Sequence, residues 1–147
     1  MGVPTAARAP AIRRGITRFF SQAGAAVLSE VPLANGRRAD VIALDPKGQL
    51  TLVEIKSGLA DLRADHKWQD YLAFADRFFF AVDADFPLDQ LPGEVGILVA
   101  DRFEATVIRN APTTTLATAR RKAMTLRFAR LAAQRLTCLT DPSAGLG

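Results

Sequence analysis

The sequence predicts an α/β sandwich around a central mixed sheet, and three observations carry that reading. Apolar residues recur at helical spacing near the start, in the middle and near the end of the chain. Three short β-type runs, 27–33, 37–44 and 50–56, lie between the first two of those stretches, joined by loops that each end in Gly. The unbroken apolar run 78–82 then reads as a buried strand. Helices and strands in this order bury their apolar faces as layers on one sheet.

The first helix starts at Ala11: Ile12, Ile16, Phe19 and Phe20 share one face, Arg13, Arg14 and Arg18 turn away, and Gly24 closes the segment. The three β-type runs form an antiparallel meander. Ser57-Gly58 opens a second helix that runs to about Asp76, with Trp68, Tyr71, Leu72 and Ala75 on its apolar face. After strand 78–82 comes a loop punctuated by Pro and Gly, 83–93, then strands 95–100 and 104–109 and a long basic helix, 116–136. Trp68, Tyr71 and the Phe78–Phe80 run are expected in the core rather than as base-stacking surfaces. Residues 1–10 read as a flexible leader, 11–136 as one domain and 137–147 as a flexible tail.

At 147 residues, 49% hydrophobic and 23% charged, the chain has a globular composition. Its longest apolar run is five residues, against about 20 for a membrane span. No secretory signal follows the early arginines, and the single cysteine, Cys138, can form no internal bridge, so the expected compartment is the cytoplasm. The net charge of +4 is unevenly placed. Residues 1–38 carry six Arg and one acid, residues 105–140 seven basic groups and no acid, and the segment between them six basic and thirteen acidic groups. Basic ends around an acidic centre suit a polyanion gripped by flanking elements while the centre holds a cation, although solvated helix faces produce the same pattern.

Turn chemistry sets the strand registers. A three-residue hairpin loop with Gly in the left-handed region, applied to Pro46-Lys47-Gly48, pairs Asp45 with Gln49 and sets Asp40 opposite Glu54. The same loop at Ala34-Asn35-Gly36 pairs Leu33 with Arg37 and sets Glu30 opposite Asp40. A two-residue Asn35-Gly36 turn would slip the register by one and mix the faces. In the even register Glu30, Asp40 and Glu54 form a row, with Cβ atoms about 4.5–5.5 Å apart, and Lys56 lies on the same face as Glu54. Opposed acids repel, so the row calls for a positive neighbour: Lys56 offsets one charge and a divalent ion such as Mg²⁺ or Mn²⁺ the rest. The spacing also allows a solvated strand end at which these acids pair with Arg37, Arg38 or Lys56.

Asp40, then Glu54-Ile55-Lys56 after thirteen residues, in a helix–meander–helix setting, resembles the active-site pattern of the PD-(D/E)XK nuclease superfamily. Ala39 stands where the superfamily's name has Pro. More narrowly, Glu54-Ile55-Lys56-Ser57, Asp61, Asp65, Lys67-Trp68, Tyr71 and Asp76-Arg77-Phe78-Phe79-Phe80-Ala81-Val82 resemble the MmcB-like DNA-repair proteins of bacteria. Gly96-Ile97-Leu98-Val99-Ala100-Asp101 and Ala119-Arg120-Arg121-Lys122-Ala123 resemble that family's later segments, so the likeness spans about residues 11–136.

The resemblance implies a restriction-endonuclease-like sandwich and a Mg²⁺- or Mn²⁺-dependent DNA endonuclease acting in repair. It implies a metal held by Asp40, Glu54 and the Ile55 carbonyl, with Lys56 beside the attacking water and Glu30 as an accessory acid. Lys67 and Gln69 are candidates to reach the scissile phosphate, Asp61 and Asp65 are expected to cap and pair at the helix start, and His66 is expected exposed. Arg13, Arg14 and Arg18 of the first helix and Arg120, Arg121, Arg127 and Arg130 of the last are candidates for gripping DNA. Besides DNA, repair proteins and a second copy of the chain are conceivable partners. The main alternative is a non-catalytic module of the same fold that binds DNA or a repair partner.

Overall fold

A computed structural model describes residues 5–144 of the chain. Its elements in order are α1 (Thr5–Gln22), β1 (Ala26–Pro32), β2 (Arg38–Leu44), β3 (Leu50–Ile55), α2 (Leu59–Ala64), β4 (Arg77–Val82), β5 (Gly96–Ala100), β6 (Ala105–Arg109) and α3 (Thr118–Thr140), with 3-10 turns at Trp68–Phe74 and Leu88–Gln90. The strands form one mixed sheet in sequence order. The β1–β2–β3 meander is antiparallel, β4 and β5 continue parallel to β3, and β6 returns antiparallel. Among the described residues no helix is long and apolar enough to cross a membrane.

Both hairpins adopt the expected three-residue loops. The Asp45 amide donates to the Gln49 carbonyl and the Gly48 amide to the Asp45 carbonyl, each at 3.0 Å, and the Leu33 amide donates to the Arg37 carbonyl at 2.7 Å. Gly36 and Gly48 sit at φ +83° and +85°, where a side chain would be strained. The registers follow: Leu44 opposes Leu50, Ile42 opposes Leu52, and Leu28 and Val27 oppose Ile42 and Ala43.

One layer packs α1 on the sheet, through Ile12, Ile16 and Phe20 against Val41, Val53, Ile55, Phe79 and Leu98. The close approach requires Gly15, since a Cβ there would stand 1.9 Å from the Asp101 carbonyl oxygen. The other layer sets Tyr71, Phe74, Met124 and Phe128 against Ile42, Leu50, Leu52, Phe78 and Phe80. Phe78, Phe79 and Phe80 are buried, and Trp68 stacks on Phe78 with centroids 5.8 Å apart, so the aromatic run is core as expected.

The alternation fails at one place. Leu28 and Ile42 face the α3 layer and Val27 and Val41 face α1, yet beyond Glu30 and Asp40 both Val31 and Ala39 join the α3 layer. Glu30 is the one non-glycine among the described residues at positive φ, +51°, and the β1–β2 pairing skips Glu30 and Asp40. The carbonyls of Ser29 and Glu30 both accept from the Arg135 guanidinium of α3, the latter at 2.7 Å, which holds this kink.

Three boundaries differ from expectation. The leader is helical from Thr5 through Pro10, and Arg8 reaches Asp83 at 3.2 Å; residues 1–4 lie outside the described residues. α3 begins at Thr118, after a non-helical Ala117 (φ −56°, ψ 141°), and it runs on to Thr140, into the expected tail, of which 145–147 lie outside the described residues. The second helix is the largest correction. It is α only over six residues, because Asp65 is extended (φ −90°, ψ 106°) and its carboxylate accepts from the Lys67 amide at 2.9 Å, replacing a helical hydrogen bond with a local turn.

Asp76, expected merely to end that helix, ties the α3 layer to the sheet. Its buried carboxylate accepts from the amides of Leu50 (2.8 Å) and Leu116 (3.0 Å) and is clamped by Arg121, which also donates to the Gly48 carbonyl at 2.7 Å. Burial disfavours its charge, but Arg121 and the two amides outweigh this and hold the carboxyl below its ordinary range. Its stabilisation is therefore complete above the ordinary carboxylate pKa of 3.8 and is lost as pH falls through the depressed folded value. Asp76→Ala leaves three donors without their acceptor and is expected to cost about 3 kcal/mol. Urea titrations at neutral pH should show that loss, and the gap from wild type should narrow as pH falls below 3.8.

Candidate active site

The β2–β3 pairing carries Asp40 to the level of Glu54, where the strands exchange side-chain contacts in place of a further ladder bond. The Asp40 amide donates to Glu54 Oε1 at 3.2 Å and the Ile55 amide donates to Asp40 Oδ2 at 2.8 Å. Glu54 is 6% exposed. Lys56, one residue past β3, is equally buried, and its amide donates to the Ala81 carbonyl at 2.9 Å. Its ammonium lies 2.8 Å from Asp65 Oδ2 and 3.9 Å from Asp61 Oδ1. Asp61 also accepts from the Ser57 amide at 3.1 Å, one residue before the N-cap Gly58, so it pairs at the start of α2 as expected without capping it.

Burial first, and then the negative charge of Asp40, pushes the Glu54 carboxyl up to about 8, with Lys56 only partly opposing. Asp40 is raised as well, chiefly by burial, against the pull of the Ile55 amide, Arg13 and Lys56. Burial also works against charge on Asp65, but hydrogen bonds from the Lys56 ammonium and the Lys67 amide prevail and keep it below the usual carboxylate range. Tyr71, under the same site, donates its hydroxyl to the Arg38 carbonyl at 3.3 Å and is pushed up to about 12 by burial and by the charges of Glu54 and Asp40.

An open cleft of about 340 Å³ leads to these groups, lined by Glu54, Lys56, Asp65, Lys67, Tyr71 and Arg37 among others. Lys67 and His66 are exposed at its rim; Gln69 is exposed but does not line it. The expected row of three acids is thus a pair. Glu30 departs from it because its left-handed backbone breaks the alternation, and its half-exposed carboxylate lies near Arg13 (3.7 Å) and Arg38 (4.0 Å) instead. That is the solvated, Arg38-paired arrangement the spacing also allowed.

Sequence reasoning missed the grip of Asp65 on Lys56, because a helix through residue 65 would have aimed that carboxylate elsewhere. It named Arg13 only as a DNA contact and missed that its charge reaches Asp40 from α1. The remaining arginines divide. Arg121 is paired with Asp76 and Arg120 lies over the Phe74 ring at 4.3 Å, so both fasten α3 to the core while staying half-buried. Arg14 stacks on Phe103 at 5.7 Å and Arg18 donates to the Phe103 carbonyl at 3.0 Å, anchoring the β5–β6 turn while both stay exposed. Arg127 and Arg130 are exposed along a groove on α3.

Among the described residues no group of three or more His, Cys, Asp and Glu side chains could hold a metal ion. A hard divalent ion does not require one, since Mg²⁺ commonly takes one or two carboxylates and completes its shell with water. Asp40 and Glu54 each accept a backbone amide, their carboxyls lie within hydrogen-bonding reach of each other, and burial together with their mutual repulsion raises the proton affinity of Glu54. That donor set fits such an ion, with the Ile55 carbonyl as the third group the chain could supply.

The model of a family described as "DNA repair protein MmcB-like" matches residues 3–143. A solved structure, the SPO1766 protein of unknown function from Silicibacter pomeroyi, is similar at 42% identity and a TM-score of 0.90, covering 98% of this chain and 97% of that one. No curated protein matches the chain.

Because Glu54 holds its proton more tightly folded than unfolded, it lowers stability as pH rises from its ordinary 4.5 to about 8. Glu54→Gln keeps an acceptor for the Asp40 amide and removes the charge. Its melting temperature should exceed that of wild type at pH 8 and converge with it near pH 5; a difference independent of pH would refute the shift.

Proposed function

Because this chain belongs to the MmcB-like DNA repair family, we propose that it hydrolyses DNA phosphodiester bonds as a metal-dependent endonuclease of the PD-(D/E)XK type. In this reading the six-stranded sheet and its flanking helices are a restriction-endonuclease-like sandwich. One observation carries the reading: Glu54 and Lys56, both buried, line an open cleft, and Asp40 is hydrogen-bonded to the same end of β3 beside them, with Glu54 pushed up to about 8. A purely structural arrangement would relieve that repulsion, as Asp76 does with Arg121. Perturbed groups of this kind in a cleft mark functional sites.

Asp40, Glu54 and the Ile55 carbonyl would hold the ion, which when bound supplies an activated water and shields the phosphate's charge. The chain's own groups do the rest. The Lys56 ammonium, held by Asp65 at 2.8 Å, stabilises negative charge developing on the phosphate. The backbone hydrogen bonds across β2 and β3 fix the two carboxylates before substrate arrives, so no reorganisation is needed at the moment of reaction. Lys67 at the rim supplies a cation for the approaching backbone. Lys122, Arg127 and Arg130 are exposed on the outer side of α3, free to meet duplex phosphates.

The test is a panel of nicked, branched and single-stranded DNAs incubated with Mg²⁺ or Mn²⁺. Wild type should cleave at least one, and Asp40→Ala, Glu54→Gln and Lys56→Ala should each lose about a hundredfold or more. Mg²⁺ should also raise the melting temperature of wild type but not of Asp40→Ala. Neither cleavage nor a metal-induced shift would leave the chain a non-catalytic module that binds DNA or a repair partner.

A further inference from the structure

We propose that Arg13 and Arg38 form a binding site for a backbone phosphate of DNA, adjacent to the Asp40–Glu54 pair, and that the Glu30 carboxylate fills it until DNA displaces it. The proposal rests on DNA being the ligand, but not on cleavage. Two guanidiniums from different elements, α1 and β2, converge on one oxygen, Glu30 Oε1, from 3.7 and 4.0 Å. Both separations exceed a hydrogen bond, so one carboxylate oxygen serves two planar cations poorly. The Nε of Arg13 is buried with no acceptor at all. Buried donors are rarely left unmet, and this one sits in a side chain already turned toward an anion.

A phosphodiester brings a negative charge and two unesterified oxygens on a tetrahedral centre, enough to meet both guanidiniums at once. Access is open, with the side chains of Arg38 and Glu30 exposed by 63% and 46%. The location is set by strand register: the pairs Ser29–Val41 and Val31–Ala39 bracket Glu30 and Asp40 at one level, so a phosphate held there neighbours one seated at the carboxylate pair. Glu30 is held out of the row by its kinked backbone, and Arg135 fixes that kink from α3.

The decisive measurement is binding of a short fluorescein-labelled duplex in EDTA, where neither metal nor cleavage contributes. Glu30→Gln should tighten binding several-fold, because both arginines lose their internal anion. Arg38→Ala and Arg13→Gln should each weaken it about tenfold and reduce the slope of log affinity against log salt by about 0.9. Arg38 is largely exposed, so its variant tests the site even if the Arg13 variant folds poorly. Weaker or unchanged binding in Glu30→Gln, or unchanged binding in Arg38→Ala, overturns the proposal. The ranking Glu30→Gln over wild type over Arg38→Ala, in a protein that cleaves nothing, would uphold the phosphate site while ending the nuclease reading.

Discussion

Two carboxylates forced together on neighbouring strands, with little water to screen them, are the constraint around which this end of the molecule is organised. The β2–β3 register places Asp40 level with Glu54, and neither side chain can withdraw without breaking the hydrogen bond it accepts from the opposite strand. Charge on one raises the cost of charge on the other. The protein tolerates this by letting Glu54 keep a proton toward neutral pH, and by placing Lys56 in the same pocket under the hold of Asp65.

The opposite end of β3 treats a buried carboxylate in the contrary way. At Leu50, where the strand begins, Asp76 meets a guanidinium and two amides and its proton affinity falls; at Glu54, where the strand ends, proton affinity rises. One strand thus joins a satisfied anchor to an unsatisfied pair. The anchor also ties the segment before α3, and α3 itself through Arg121, to the sheet. From there α3 reaches across to β1, where Arg135 holds the kink at Glu30. The stable part of the fold thereby positions the strained part, a division common at functional sites.

Much of this arrangement is legible in the sequence. Two Gly-ended loops fixed both hairpin registers, and through them the meeting of Asp40 and Glu54, because turn geometry and the two-residue strand period are local properties. Helix two was misread because Trp68, Tyr71 and Ala75 do recur at helical spacing. The same residues serve a 3-10 turn once Asp65 captures the Lys67 amide, and that choice is made by a side chain rather than by periodicity. Glu30 lay at the right register position and still left the row, since the period of two assumes extended backbone at every residue and Glu30 does not adopt it.

The basic residues show the boundary most plainly. Their positions in the chain marked two cationic ends, but not which guanidiniums were spoken for. Arg121 reaches Asp76 across 45 residues and Arg135 reaches Glu30 across 105. By itself, the sequence determined the layered α/β class, the meander with its registers, and the candidate pair of acids with a lysine two residues on, all of which follow from short-range geometry. Only the tertiary structure decided that Glu30 leaves the pair, that Asp65 claims Lys56 and that Arg13 turns inward, because those outcomes depend on which distant charged groups folding brings within reach of one another.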